Sequence, residues 1–232
     1  MAEKIKYTRK DLKGPDEFLS AFSRAVEWTR ENRSKVMAGV IWVVLLFGGI
    51  LGTQAYFRWQ DNKASQELWP HLNRARQILQ SPETAGAEQL ARMEQLLIAY
   101  VNVHPKAKAV VYARYYLGSI AYLRGDYGLS EAQFRAAIQA GDAEEIMPYL
   151  LRKGLAQALE SKGDYAGAAT AYREAAAATG GALRTQAQIG QARTTELAGR
   201  KQEAVALYRQ ILTEAADPQT KEFVELKLAR AE

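Results

Sequence analysis

Twenty-two consecutive residues without a charged side chain, Val36 to Phe57 (VMAGVIWVVLLFGGILGTQAYF), set the tightest limit on how this chain can fold. As a helix rising ~1.5 Å per residue the run is about 33 Å long, enough to cross a hydrocarbon core of ~30 Å. Lys35 and Arg58 bound it, Trp42 lies inside it, and Tyr56, Phe57 and Trp59 cluster at its far end, where an aromatic belt would sit. A cleavable leader has a short basic start, an apolar core of ~7–15 residues and a small-x-small cleavage motif. Here 35 residues precede the run and no Ala-x-Ala directly follows it. The expectation is an uncleaved transmembrane helix over 36–57.

Lysine and arginine near the ends orient it. Residues 21–35 carry Arg24, Arg30, Arg33 and Lys35, whereas residues 58–72 carry Arg58 and Lys63, so the N-terminus is expected in the cytoplasm and the bulk of the chain on the far side. The net charge of +5 divides accordingly: residues 1–35 hold nine basic and six acidic side chains, leaving +2 for everything else. Neither part is a basic block suited to nucleic acid. Mean hydropathy is −0.30, an average over one apolar anchor and a polar remainder. Within the span Gly48 and Gly52 stand four residues apart, a spacing that lets a second helix approach closely and that is also common in unpaired membrane helices.

Ahead of the span, residues 1–13 are polar, and Gly14-Pro15 predicts a break. Asp16 can then cap an amphipathic helix over 16–32, with Phe18, Leu19, Phe22, Ala25, Val26 and Thr29 on one face. Such a helix has no core of its own and needs either a lipid surface or a partner.

Beyond Arg58 the residues are helix formers with no alternating pattern, and internal similarity decides the architecture. Three segments realign on their turn glycines: ARYYLGSIAYLRGDYGLSEAQFRAAI (113–138), LRKGLAQALESKGDYAGAATAYREAA (151–176) and AQIGQARTTELAGRKQEAVALYRQIL (187–212). Gly125, Gly163 and Gly199 are 38 and 36 residues apart. Five residues beyond each comes a small residue (Ser130, Ala168, Ala204), and four beyond that an aromatic (Phe134, Tyr172, Tyr208). The glycine permits a tight helix turn, the small residue a close crossing, and the aromatic fills the space toward the next pair.

These residues resemble the tetratricopeptide repeat over roughly 106–216. Its Leu-Gly pair is present as Leu117-Gly118, loosely as Leu155-Ala156, and absent at Gln191-Ala192; its later small residue is Ala137 and Ala175, with Ile211 in the third copy. Residues 58–105 are expected to form a degenerate helix pair, Asn62 to Gln80 and Glu83 to Val103, with Pro70 kinking or interrupting its first helix and a stripe of Leu90, Met93, Leu96, Leu97, Tyr100 and Val101. Residues 217–232 are expected to form a capping helix with Phe223, Leu226 and Leu228 on one face. The fold class is therefore all-α: a single transmembrane helix followed by a tetratricopeptide-like solenoid.

In that family, positions 2, 5, 9 and 12 of each first helix face the inner wall of the array. The resemblance puts Tyr112, Tyr115, Ser119 and Tyr122 there in the first copy. The second contributes Leu150, Lys153, Gln157 and Glu160, and the third Gln186, Ile189, Arg193 and Glu196. The tyrosines suit an extended polypeptide; they are equally suited to pack against the preceding pair. No asparagine occupies the wall, which argues against a clamp for a free C-terminal carboxylate.

Taken with the junction ENRSKVMAGVIWVVLLFGGI, the aromatic exit YFRWQ and HPKAKAVVYARYYLGSIAYLRGDY, the whole arrangement resembles the YfgM-type ancillary subunits of the bacterial Sec translocon, although its 35-residue arm is longer than that family implies. The resemblance implies an inner-membrane protein with a periplasmic array that contacts translocon subunits, secreted chains or periplasmic chaperones. The alternative is a scaffold of another envelope assembly, such as a division or outer-membrane assembly complex.

Chemistry is sparse. There is no cysteine and no phosphate-binding GxxxxGK[ST] motif. His71 and His104 adjoin prolines and read as surface or turn residues, while Glu144-Glu145 and Asp16-Glu17 read as helix-start acids. Neither an enzymatic activity nor a cofactor or metal is expected.

Overall fold

The computed structural model describes residues 14–141, 146–215 and 217–231. The polar segment 1–13 and the Glu144-Glu145 pair lie outside them. Among the described residues there are ten α-helices, one short 3₁₀ turn and no strand: α1 (Gly14–Glu31), α2 (Arg33–Gln80), the turn Pro82–Thr84, α3 (Ala87–Val103), α4 (Val110–Leu123), α5 (Tyr127–Ala140), α6 (Met147–Ser161), α7 (Tyr165–Ala177), α8 (Gly181–Leu197), α9 (Lys201–Glu214) and α10 (Pro218–Ala231). The chain divides into two compact units, Met1–Trp59 and Gln60–Glu232.

In the first unit, α1 starts at Gly14, so Gly14-Pro15 opens this helix and Asp16 lies in its first turn instead of capping it. Proline is compatible with that place, because its missing N–H would have no partner there and its φ is already helical. Phe22 and Val26 share one exposed face, and Trp28 is exposed on another. The run 36–57 lies within α2, the one described helix long and apolar enough to cross a membrane, and beyond the half-buried Val36 its large apolar side chains are exposed. An added Cβ at Gly48 or Gly52 would meet nothing, so both present open helix surface.

The second unit begins within α2, which continues without interruption through Pro70 to Gln80. Of the two expected effects of Pro70, an interruption is absent. Pro70 is itself exposed, and the face away from it buries Ala64, Leu68, Leu72, Ala75 and Ile78 against Met93, Leu97, Tyr100 and Val101 of α3. Packing along that stripe offsets the one hydrogen bond a mid-helix proline removes. Leu96, expected in the α3 stripe, is 41% exposed, since it stands one residue off the Met93–Leu97–Tyr100 row.

From α4 onward the chain builds three successive helix pairs, each turned by a glycine at φ near +80° (Gly125 80°, Gly163 82°, Gly199 81°). That backbone conformation is open to glycine and strained for other residues. Each turn is closed by the same bond to the carbonyl five residues back, Asp126 N–H to Ala121 (2.9 Å), Asp164 to Leu159 (2.9 Å) and Arg200 to Thr195 (3.1 Å). Asp126 and Asp164 then cap the next helix, accepting from the Leu129 and Gly167 amides at 2.9 Å; Arg200, in the same place, supplies no side-chain cap.

The core follows the register read from the sequence. Ser130, Ala168 and Ala204 are fully buried, as are Ala137, Ala175 and Ile211, and the aromatics Phe134, Tyr172 and Tyr208 lie at most 5% exposed. Phe134 fills the space between two first helices: a Cβ added at Gly118 would be 3.1 Å from its ring, and one at Gly154 only 2.4 Å. Tyr172 meets Gly190 of the next pair in the same way, at 2.7 Å from an added Cβ. In the first pair Tyr116 holds the corresponding place in the turn register, where no aromatic arrives from a preceding repeat; its hydroxyl accepts from Arg76 at 3.5 Å. At the far end Tyr208 packs into a cluster with Val224 of α10. The capping face is therefore Val224 with Leu228, four residues apart, whereas Phe223 and Leu226 are 41% and 51% exposed. Helical spacing puts Leu226 on the opposite side of α10 from Val224 and turns Phe223 about 100° away from it.

Candidate protein-interaction face

The first helices α6 and α8 lie side by side and bring the wall residues of the second and third repeats together. They line a cavity of about 250 Å³ with Lys153, Gln157, Gln186, Ile189 and Arg193, joined by Tyr149, Tyr172 and the bare backbone of Gly190. Gln186 is the hinge of its polar contacts: its Oε1 accepts from the Tyr149 hydroxyl at 2.8 Å and from Lys153 Nζ at 3.2 Å. Lys153 Nζ also lies 5.8 Å from the Tyr149 ring centre, within cation–π range. No carboxylate pairs with Lys153 among the described residues.

Arg193 is instead held by Glu160 in a two-pronged ion pair, one prong Nη2 to Oε2 at 2.9 Å and the other between Nη1 and Oε1. The same carboxylate accepts from the Tyr172 hydroxyl at 3.3 Å. Burial and that carboxylate together push the Tyr172 phenol upward, with Arg193 opposing. The third repeat repeats the spacing: Glu196 stands twelve residues before Tyr208, as Glu160 does before Tyr172, and burial followed by the Glu196 charge pushes Tyr208 up to about 12. In the first repeat the two places are Tyr122 and Phe134, so neither the acid nor the phenol is present.

The first-repeat wall residues are organised differently. Tyr112 and Tyr115 are half-buried and pack against both of the two larger core clusters, with the Tyr115 ring 5.1 Å from Tyr116 and 6.2 Å from Phe134. Ser119 turns its hydroxyl back to the Tyr115 carbonyl at 2.8 Å. The Tyr122 ring lies tilted against Tyr127 at 5.4 Å, and its hydroxyl accepts from Ser161 of the next repeat at 3.2 Å. Of the two uses open to these tyrosines, packing accounts for Tyr112 and Tyr115. Leu150 and Ile189 are likewise half-buried against core clusters. Tyr149 was not among the sequence-derived wall residues, because the family register starts the wall one residue later, at Leu150. Gly154 and Gly190 were also missed, although they continue a 36-residue spacing from Gly118.

Among the described residues no three His, Asp or Glu side chains gather as metal ligands. His104 ends α3 with its Nε2 2.8 Å from Glu67, so it ties the link after α3 back to α2.

The buried phenols predict an alkaline response. A phenol raised in the fold favours the protonated form there, so its contribution is complete below the unfolded value of 10.0 and is lost as pH rises through about 12. Tyr208 and Tyr100 both sit at about 12. The urea midpoint should therefore fall from about pH 10 upward. Tyr208→Phe should flatten that fall. Midpoints measured across this range for the two proteins check both statements.

A profile of the tetratricopeptide repeat matches residues 86–145 and 153–219. Among solved structures, two crystal structures of nearly identical TPR-like repeats from a Podosopora anserina kinesin light chain candidate, one of them a point variant, are similar in fold. Each has a TM-score of 0.57 and 19% identity over 71% of this chain, and 84% and 85% of those chains are covered. No curated protein matches the sequence.

Proposed function

The chain belongs to the tetratricopeptide repeat family, and from that premise we propose that residues 60–232 form a periplasmic binding array for other polypeptides, anchored in a bacterial inner membrane by the apolar part of α2. Repeats of this family make protein-interaction modules, and the observation that carries the reading is the open α6–α8 face, where Lys153 pairs with no carboxylate among the described residues. An extended chain could lay an apolar side chain against Ile189 and Tyr149 and an acidic one against Lys153. The anchor is supported by the length and exposure of the apolar run, and the orientation by the lysine and arginine excess before it. Gly48 and Gly52 would supply the packing surface for a second membrane helix. The exposed Phe22 and Val26 of α1, near Arg24 and Arg30, would rest on lipid at the cytoplasmic interface.

We assign the clients to secreted or folding envelope proteins, or their chaperones, beside the Sec translocon; this rests on the resemblance of the span and its flanks. Photocrosslinkers at Gln157 and Gln186 are expected to capture translocon subunits or exported chains in cells, while one at the half-buried Tyr115 captures few. Recovery of neither class would overturn the assignment. An alkaline phosphatase fusion after Glu232 should be active; a stable, inactive fusion would reverse the topology. The scaffold reading draws on one observation, that Glu160 and Arg193 use two wall positions to brace adjacent repeats. A stoichiometric complex lacking translocon subunits, isolated in mild detergent, would favour it.

A further inference from the structure

A second concavity lies apart from the α6–α8 face. The last turns of α2 and the first half of α3 leave a cleft of about 570 Å³ between them, a size typical of ligand sites. Its floor is apolar, formed by the buried Ile78 and Met93 and the half-exposed Leu96. Its rim carries a guanidinium on each side, Arg74 from α2 and Arg92 from α3.

Neither cation is committed to the fold. Arg74 has no hydrogen-bond or ion-pair partner among the described residues. Arg92 bonds Glu88 of its own helix at 2.6 Å, but the two side chains are 75% and 79% exposed, so water competes for the pair and another carboxylate can replace Glu88 readily. Gln77 and Gln89 complete the rim, also one from each helix. A side-chain amide offers a donor and an acceptor together, the combination a peptide main chain requires and an acyl chain cannot use.

We propose that this cleft binds a short extended segment of a partner polypeptide in which an apolar side chain neighbours an acidic one. The apolar side chain rests on Ile78, Met93 and Leu96, the carboxylate takes Arg74 and Arg92, and the glutamine amides meet the main chain. The site is independent of Lys153 and Arg193, so the array offers two separate points of attachment.

The probe is a fluorescein-labelled, amidated peptide of sequence Asp-Leu-Phe-Asp, titrated against the full chain in detergent by anisotropy. In a Lys153→Glu background, which removes the unpaired cation of the α6–α8 face, binding should saturate and should weaken about tenfold or more when Arg74→Glu and Arg92→Glu are added. The milder Arg74→Gln/Arg92→Gln pair should weaken it too, with helix content by circular dichroism unchanged in every variant. The absence of cysteine allows the site to be located: in the same Lys153→Glu background a bromoacetyl form of the peptide should alkylate Leu96→Cys in preference to Gln157→Cys. The proposal is overturned by a non-saturating titration, by equal binding of the Lys-Leu-Phe-Lys peptide, by equal competition from decanoate, or by binding that disappears with Lys153→Glu alone and is indifferent to the arginines. Because the last outcome moves binding to the α6–α8 face, failure here and failure of the array's proposed function give different results.

Discussion

Phe134→Ala should destabilise the array by about 3–5 kcal/mol, the largest loss expected from any single side chain in it. The ring is 2% exposed and is enclosed by two first helices, its own repeat's at Gly118 and the next repeat's at Gly154. Truncation leaves a cavity that neither glycine can fill. The reciprocal change is destabilising for the opposite reason. Gly154→Ala places a Cβ 2.4 Å from the ring and should cost about 1–3 kcal/mol by overpacking, against a gain of up to ~1 kcal/mol in helix propensity. In the double variant the new methyl occupies part of the space the ring has left, so its loss should fall short of the sum of the two. Urea unfolding followed by circular dichroism gives all four corners of the cycle. Additive losses would mean that ring and glycine do not share one packing site.

The second large effect concerns the turns. Alanine at Gly125, Gly163 and Gly199 together should cost about 3–6 kcal/mol, from ~1–2 kcal/mol for each residue forced into the left-handed region. At these three positions an added Cβ meets nothing within 4 Å, so the penalty is purely one of backbone conformation. This separates them from Gly154, where the backbone is helical and the obstacle is a neighbouring ring. Asparagine, which tolerates positive φ, should restore a good part of the loss at the turns and none of it at Gly154. The turns are 38 and 36 residues apart and share no partners, so single variants should sum. Thermal midpoints of the alanine and asparagine series decide the matter.

Much of this architecture could be read from residue types alone, because the turn glycine, the small residue five beyond it and the aromatic four beyond that each answer a local demand. The array's other features depend on where neighbouring helices lie. Gly154 and Gly190 look like tolerated helix glycines until Phe134 and Tyr172 are set against them. Val224 and Phe223 are adjacent apolar residues, and only contact with α9 distinguishes the one that is buried. Pro70 reads as a breaker because a sequence does not display the stripe from Ala64 to Ile78 that holds its helix together. The wall was legible in its second and third repeats, where polar side chains at the family's positions converge. In the first it was ambiguous, since tyrosine serves a core and a binding surface equally well, and packing against two clusters claims Tyr112 and Tyr115.

The seating of one repeat's aromatic against the next repeat's glycine gives the array a direction. Each unit supplies a plug at one end and a socket at the other, so identical copies can be joined in only one order. Tyr116 already fills the first unit's socket, and Val224 receives the last unit's plug. Lengthening the array by duplication is therefore simple only at an internal junction, between Phe134 and Gly154 or between Tyr172 and Gly190, where an inserted unit finds a plug before it and a socket after it. A unit added at either end would need a new terminus as well.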